Sequence, residues 1–255
     1  MGEILWFNII TCPECLTLED WANYSKRWCW ERKAETNDEI DGSFKSYLKK
    51  ASIYPEFSKV IAFAYKYGTD EEVYTIDLTV KEWEKELLKK VNEVFKTHEC
   101  RIGGFNIYGF TIPFLWKRMI INGVNPHNRL NITWIKPRDM DAYMVDVMNV
   151  WKQTSFTCSL DLLSLSLLGE KADLDGIWEY VASAVNSGSW DWVKYYASEW
   201  AIYASKCHDA IMYPEQRNEV DKTLEDKKEE AKEIAEKKME EEGKEVAKEN
   251  VELPF

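Results

Sequence analysis

The chain has 255 residues, 45% of them hydrophobic and 14% aromatic, with 12 Trp, 13 Tyr and 10 Phe. That is enough for one domain of about 200 residues plus an appendage, and too apolar for wholesale disorder. The net charge of −12 argues against tight non-specific nucleic-acid binding, although the lysines and arginines of the body leave room for a local basic groove. No apolar run approaches the roughly 18 residues a membrane span needs. Met1 to Ile10 lacks a basic region before its apolar stretch, so no secretory signal is expected and the chain reads as cytoplasmic, with no membrane partner.

Ile4 to Thr11 is a continuous apolar run and predicts a strand covered on both faces. Cys12-Pro13-Glu14-Cys15 follows, the one C-x-x-C pair among six cysteines. No second pair accompanies it, and His98, His127 and His208 show no ligand spacing, so ordinary thiols are expected. Residues 16–52 are polar and Trp-rich, read as an insertion of short helices. Within it Trp28 and Trp30 are candidate partner contacts. Phe57 to Tyr67 alternates and predicts a strand, turned at Gly68-Thr69-Asp70 into a hairpin partner over Glu72 to Leu78. Thr79-Val80-Lys81-Glu82 has the spacing of a capping box, with Trp83, Leu87, Leu88, Val91 and Phe95 on one face of the helix it opens.

Arg101 to Asn106 predicts a short central strand, and Ile112 to Ile121 a helix opened near Pro113. Ser159 to Leu168 predicts an apolar helix ended at Gly169, and Trp190 to Met212 a long helix rich in Trp and Tyr. The order points to an α/β body over 1–213. Beyond it, 214–255 is a charged tail. Its residues 215–255 carry 15 acidic and 9 basic side chains and suit a solvated helix. The apolar tip ends in Leu253-Pro254-Phe255, which loosely resembles peptides that anchor replication proteins to sliding clamps. Leu253 and Phe255 are therefore partner-binding candidates.

Three stretches carry a more specific signal. They are Phe7-Asn8-Ile9-Ile10-Thr11, Gly104-Phe105-Asn106-Ile107-Tyr108-Gly109-Phe110-Thr111-Ile112-Pro113-Phe114-Leu115, and Tyr196-Ala197-Ser198-Glu199-Trp200. Together they resemble the DEDD superfamily of 3′–5′ exonucleases, particularly the proofreading type related to B-family DNA polymerases. In that family the first motif reads like F-D-I-E-T, the second like G-H-N-I-x-G-F-D-I-P-F-L, and the third like Tyr-x-x-x-Asp. Ser159 to Leu163 with Leu168-Gly169, and the loop Lys171 to Gly176, resemble further family segments. The likeness covers roughly residues 4–212. It implies an RNase H-like fold, a mixed central sheet flanked by helices, with the helical C-terminal extension beyond it.

The resemblance also implies where chemistry would sit. The family holds two Mg²⁺ or Mn²⁺ ions about 3.5–4 Å apart on four carboxylates. Here those positions are Asn8, Ile10, Thr111 and Trp200, and Tyr196, which orients the attacking water in the family, is retained. Hard divalent cations need anionic oxygen ligands, so no metal cofactor is expected and the chain reads as a pseudo-nuclease. An active enzyme with relocated ligands would need Mg²⁺ or Mn²⁺ held by nearby acids such as Glu14, Asp77 or Asp146. The alternative Tyr203–Asp209 pair has a spacing of six rather than four and places its acid about 200° further round a helix, away from the position the motif needs. Asn106, Phe110, Trp116, Lys117 and Arg118, in or just after the second motif, are candidates for contacting single-stranded nucleic acid. A protein partner in replication, repair or a larger, virus-encoded assembly is the other expectation. A scaffold that touches no nucleic acid is the third.

Overall fold

The computed structural model describes residues 3–34, 40–76, 81–131, 139–152, 157–174 and 177–215. Thr79, Asp77, the loop end Asp175-Gly176 and the tail from residue 216, with Leu253 and Phe255, lie outside them. The chain divides into two compact units, Met1–His208 and Asp209–Phe255. Of the second, the described part is Asp209–Glu215, the end of a helix and three residues beyond.

Strand β1 (Ile4–Pro13) is buried along almost its whole length. Three helices follow, α1 (Leu18–Ala22), α2 (Arg27–Ala34) and α3 (Ile40–Lys50). They lead into the hairpin β2 (Ser58–Tyr67) and β3 (Asp70–Thr75), then α4 (Trp83–Thr97) and β4 (Arg101–Gly104). A π-helical turn, Ile107–Thr111, runs into α5 (Ile112–Ile121). Next come α6 (Met140–Tyr143), β5 (Met144–Asp146), α7 (Val147–Lys152), α8 (Leu160–Leu168), α9 (Ile177–Ser187) and α10 (Trp190–Met212). The sheet order is β3-β2-β1-β4-β5. β1, β2 and β3 pair antiparallel, whereas β4 and β5 run parallel to β1. This mixed sheet flanked by helices is α/β and RNase H-like, as the resemblance implies.

Alternation of side chains sorts β1 into two faces. Leu5, Phe7 and Ile9 point one way. Phe7 meets Phe95 of α4 edge-on at 5.2 Å and Phe63 of β2 at 6.0 Å. Trp6, Asn8 and Ile10 point the other way, where Trp6 packs on His208 of α10 at 5.0 Å. Across from them β2 presents the small Ala64 and Ala62. Gly103 lies beside Trp6 in the parallel register. A Cβ there would come within 2.6 Å of the Trp6 ring and 2.7 Å of Ile4 Cγ2. The indole thus occupies the space a side chain on β4 would need.

Two boundaries differ from expectation. β2 is buried on both faces over most of its length rather than half-buried: Phe63 packs on Phe95 of α4, and Ala62 and Ala64 lie on the opposite face beside Ile10 and Asn8. Its Lys59 and Lys66 sit near the strand ends, where long stems reach solvent. Helix α4 begins at Trp83, later than a capping box at Thr79 would place it. Glu82 is its N-cap, in a left-handed conformation (φ 60°) with no side-chain cap hydrogen bond. Gly169 ends α8 as read, at φ 72°, while Ser159, read as the first residue of the helix, is its N-cap and accepts the Leu162 N–H.

The Trp-rich segment builds a second core of its own. Trp21, Trp30, Phe44, Tyr47, Ala51 and Phe57 pack together with Cys15. Trp21 and Tyr47 lie 4.4 Å apart, and the Tyr47 hydroxyl donates to the Phe57 carbonyl at 2.8 Å. Thr11 Oγ1 donates to the Ser52 carbonyl and ties this core to the end of β1.

Candidate functional site

The middle of β1 sets the first two motif positions. Asn8 and Ile10 share the face that looks toward α10. Ile10 is fully buried and joins a hydrophobic cluster with Ile112, Val193 and Ala197, against which Tyr196 also packs. The structure therefore gathers parts of all three motifs around one core. Asn8 is 8% exposed, and its Nδ2 has no hydrogen-bond partner among the described residues. Thr111 is buried at the junction of the π-helical turn and α5. Trp200 lies 6.0 Å from Phe105, with its Nε1 likewise buried and unpartnered. Tyr196 leans on Trp192 at 4.4 Å and meets Tyr195 edge-on at 5.2 Å.

The nearby acids are committed elsewhere. Asp146 ends β5, buried, beside Gly104 of β4. Its Oδ1 accepts the N–H groups of Asn106 and Met148, and its Oδ2 accepts that of Tyr108. Burial raises its pKa, and these backbone donors pull the other way. The carboxylate thereby holds the start of the π-helical turn, where Asn106 sits at φ 56°. Sequence reading placed Asp146 near the sheet but missed this anchoring role, which becomes visible once β5 is seen to pair with β4.

Glu14 accepts from the Lys26 ammonium at 2.8 Å and from the Tyr24 hydroxyl at 2.6 Å. It also pairs with Arg118 Nη1 at 3.3 Å. Among the described residues, no three His, Cys, Asp or Glu side chains form a group that could hold a metal ion. An amide, a hydroxyl, an aliphatic chain and an indole do not fit a pair of Mg²⁺ or Mn²⁺ ions, because none brings a negative oxygen.

The candidate nucleic-acid residues separate. Trp116 and Phe110 are half-buried against the core, and Asn106 is half-buried at its left-handed position. Lys117 is exposed and only 3.6 Å from Glu56. Arg118 departs from expectation, for it is 2% exposed and turned inward. Its Nε and Nη2 bind the Glu84 carboxylate, and Nη1 donates to the Pro55 carbonyl at 2.7 Å. Glu84 also accepts the Val60 N–H and Asn122 Nδ2. Burial works against the Arg118 charge, and Glu84 and Glu14 more than offset it, holding its pKa above the usual value. It cannot reach a phosphate without leaving this cluster. Its position on the apolar side of α5, in line with Leu115, is the signal that could have told it from Lys117.

The partner candidates separate too. Trp28 is 60% exposed, whereas Trp30 is 1% exposed and is a core residue of the second cluster, with edge contacts to Tyr47, Tyr54 and Phe57. The thiols of the C-x-x-C pair are free and buried. Burial pushes Cys12 up to about 12 and Cys15 up to about 11, the reverse of a reactive redox pair.

No helix among the described residues is long and apolar enough to cross a membrane. No family model matches the sequence, and no curated protein matches it either. Among solved structures, the chain is similar to the family B DNA polymerase from the hyperthermophilic archaeon Pyrobaculum calidifontis, at 12% sequence identity and a TM-score of 0.46. The match covers 80% of this chain and 24% of that one, so the chain spans about a quarter of the polymerase's length.

Proposed function

We propose that this chain is a catalytically inactive 3′–5′ exonuclease-like module that acts by binding in replication, repair or a larger assembly. The donor chemistry at the four motif positions carries this reading. Asn8, Ile10, Thr111 and Trp200 stand where the family has four carboxylates, and two acids that could serve as relocated ligands, Asp146 and Glu14, are already held by backbone N–H groups and by cations. Two-metal hydrolysis needs those charges to generate a hydroxide and stabilise the leaving oxygen. A packed, uncharged core in their place costs nothing in buried repulsion.

Binding to a protein partner is favoured over binding to a nucleic-acid end. Arg118, the strongest phosphate candidate, spends its guanidinium inside an ion cluster. Lys117 with Trp116 keeps the nucleic-acid reading open on α5.

The test uses 5′-labelled single-stranded DNA and RNA with Mg²⁺, Mn²⁺ or EDTA, run on native and denaturing gels. Intact strands under all conditions are expected. Metal-dependent shortening that disappears when Asp146 or Glu14 is replaced would overturn the reading and restore an enzyme with relocated ligands. A shifted but intact strand in EDTA would assign the binding to nucleic acid.

A further inference from the structure

Beside the start of α4 the surface opens into a cleft of about 330 Å³, at the small end of the range for small-molecule sites. The buried Arg118–Glu84 pair lies at its bottom, and Lys59 of β2, Trp83 of α4 and Ile121 of α5 stand around it. Trp83 is half-buried, and Ile121 is 51% exposed. The charges here match up almost completely. Glu84 is paired with Arg118, Glu14 with Lys26 and Arg118, and Glu82, which also lines the cleft, with Lys85 at 3.4 Å. Lys59 is the exception. It has no ion pair among the described residues, and its ammonium rests over the Trp83 ring at 4.9 Å. An ammonium on an indole keeps the N–H groups that face away from the ring free to donate. The cleft therefore carries one unmatched positive charge next to an aromatic ring and an exposed aliphatic side chain.

We infer that this cleft binds a small organic carboxylate with an apolar body. The carboxylate pairs with the Lys59 ammonium, and the body lies against Trp83 and Ile121. One unmatched charge suits a monoanion. A phosphate monoester brings a second negative charge toward Glu82 and Glu84, and an organic ammonium meets Lys59 itself. Arg118 and Glu84 stay bound to each other and serve as the wall. Helix α4 covers the face of the sheet that carries Phe7 and Phe63, opposite to Asn8 and Ile10. The inference therefore does not depend on the reading of the four metal positions.

The test is a ligand-observed NMR titration of the full chain with phenylacetate. Phenyl phosphate and 2-phenylethylammonium are run in parallel. Phenylacetate is expected to saturate with a Kd of about millimolar, tighter than either of the others. Lys59→Gln should weaken it at least about fivefold, and Ile121→Ser about threefold, both with unchanged circular dichroism and Tm. Lys89→Gln removes an exposed lysine of α4 that is paired with Glu86, and should leave binding unchanged. Equal weakening by Lys59→Gln and Lys89→Gln would mean attraction to net charge and would overturn the inference. So would no saturation, binding that survives Lys59→Gln intact, or either of the other two probes bound as tightly as phenylacetate.

Discussion

Glu84→Gln is expected to cost about 3–5 kcal/mol, the usual loss when one partner of a buried ion pair is removed. The Arg118 and Glu84 side chains are 3% and 6% exposed. The Glu84 oxygens together accept four donors, two from Arg118, one from the Val60 N–H and one from Asn122. Glutamine keeps one oxygen and turns an NH₂ group toward those donors, while the guanidinium loses its closest counter-charge. Glu14 at 3.3 Å remains and limits the loss. For a body of this size the change corresponds to a fall in Tm of roughly 6–20 °C. Urea unfolding followed by tryptophan fluorescence measures it. Adding Arg118→Met to Glu84→Gln should recover at least about 1 kcal/mol, because a buried cation left with Glu14 alone is gone and the two sites are in contact. A single-variant loss below about 1 kcal/mol, with the double variant strictly additive, would mean a hydrated cluster and refute this account of it.

Gly103→Ala should destabilise by about 1–3 kcal/mol, since its Cβ would meet the Trp6 ring at 2.6 Å; a Trp6→Leu background should relieve part of the loss in the same urea assay. Asn8→Val should stabilise by about 1–2 kcal/mol, because it removes a buried amide whose Nδ2 has no partner among the described residues; a lower Tm would show the amide to be bonded. The raised thiol pKa values of Cys12 and Cys15 make the native state hold protons that the unfolded chain releases. Their contribution is complete below about pH 9 and is lost as pH rises toward 11–12. Replacing both with serine should flatten that alkaline decline in a Tm–pH series, and native thiol titration at pH 8 should label Cys29, Cys100 and Cys158 before Cys12, Cys15 and Cys207.

Most elements of the sheet and helices were legible because local signals agreed with the global arrangement. The apolar run at Ile4, the turn at Gly68, Pro113 near the start of α5 and Gly169 at the end of α8 each mark a boundary by their own chemistry. The start of α4 was not legible, since T-x-x-E spacing says nothing about the left-handed turn at Glu82 that opens the helix. Arg118 and Lys117 look alike as adjacent basic residues. Helical spacing puts Arg118 in line with the buried Leu115, but its buried partner Glu84 is supplied only by the packing of α4 against α5. Trp28 and Trp30 divide in the same way, by which side of α2 meets Tyr47. The substituted motif positions could be named from the sequence. That Asp146 fastens the loop between them depends on a parallel pairing 40 residues distant.

The margins of the sheet bear on how anything could assemble with it. On one side β3 begins Asp70-Glu71-Glu72, all exposed; on the other β5 is three residues long and continues directly into α7. An incoming extended peptide would have to align its backbone beside three consecutive carboxylates or find almost no strand to follow. Both borders therefore discourage strand addition and edge-to-edge self-association. Recognition is left to the helical layers.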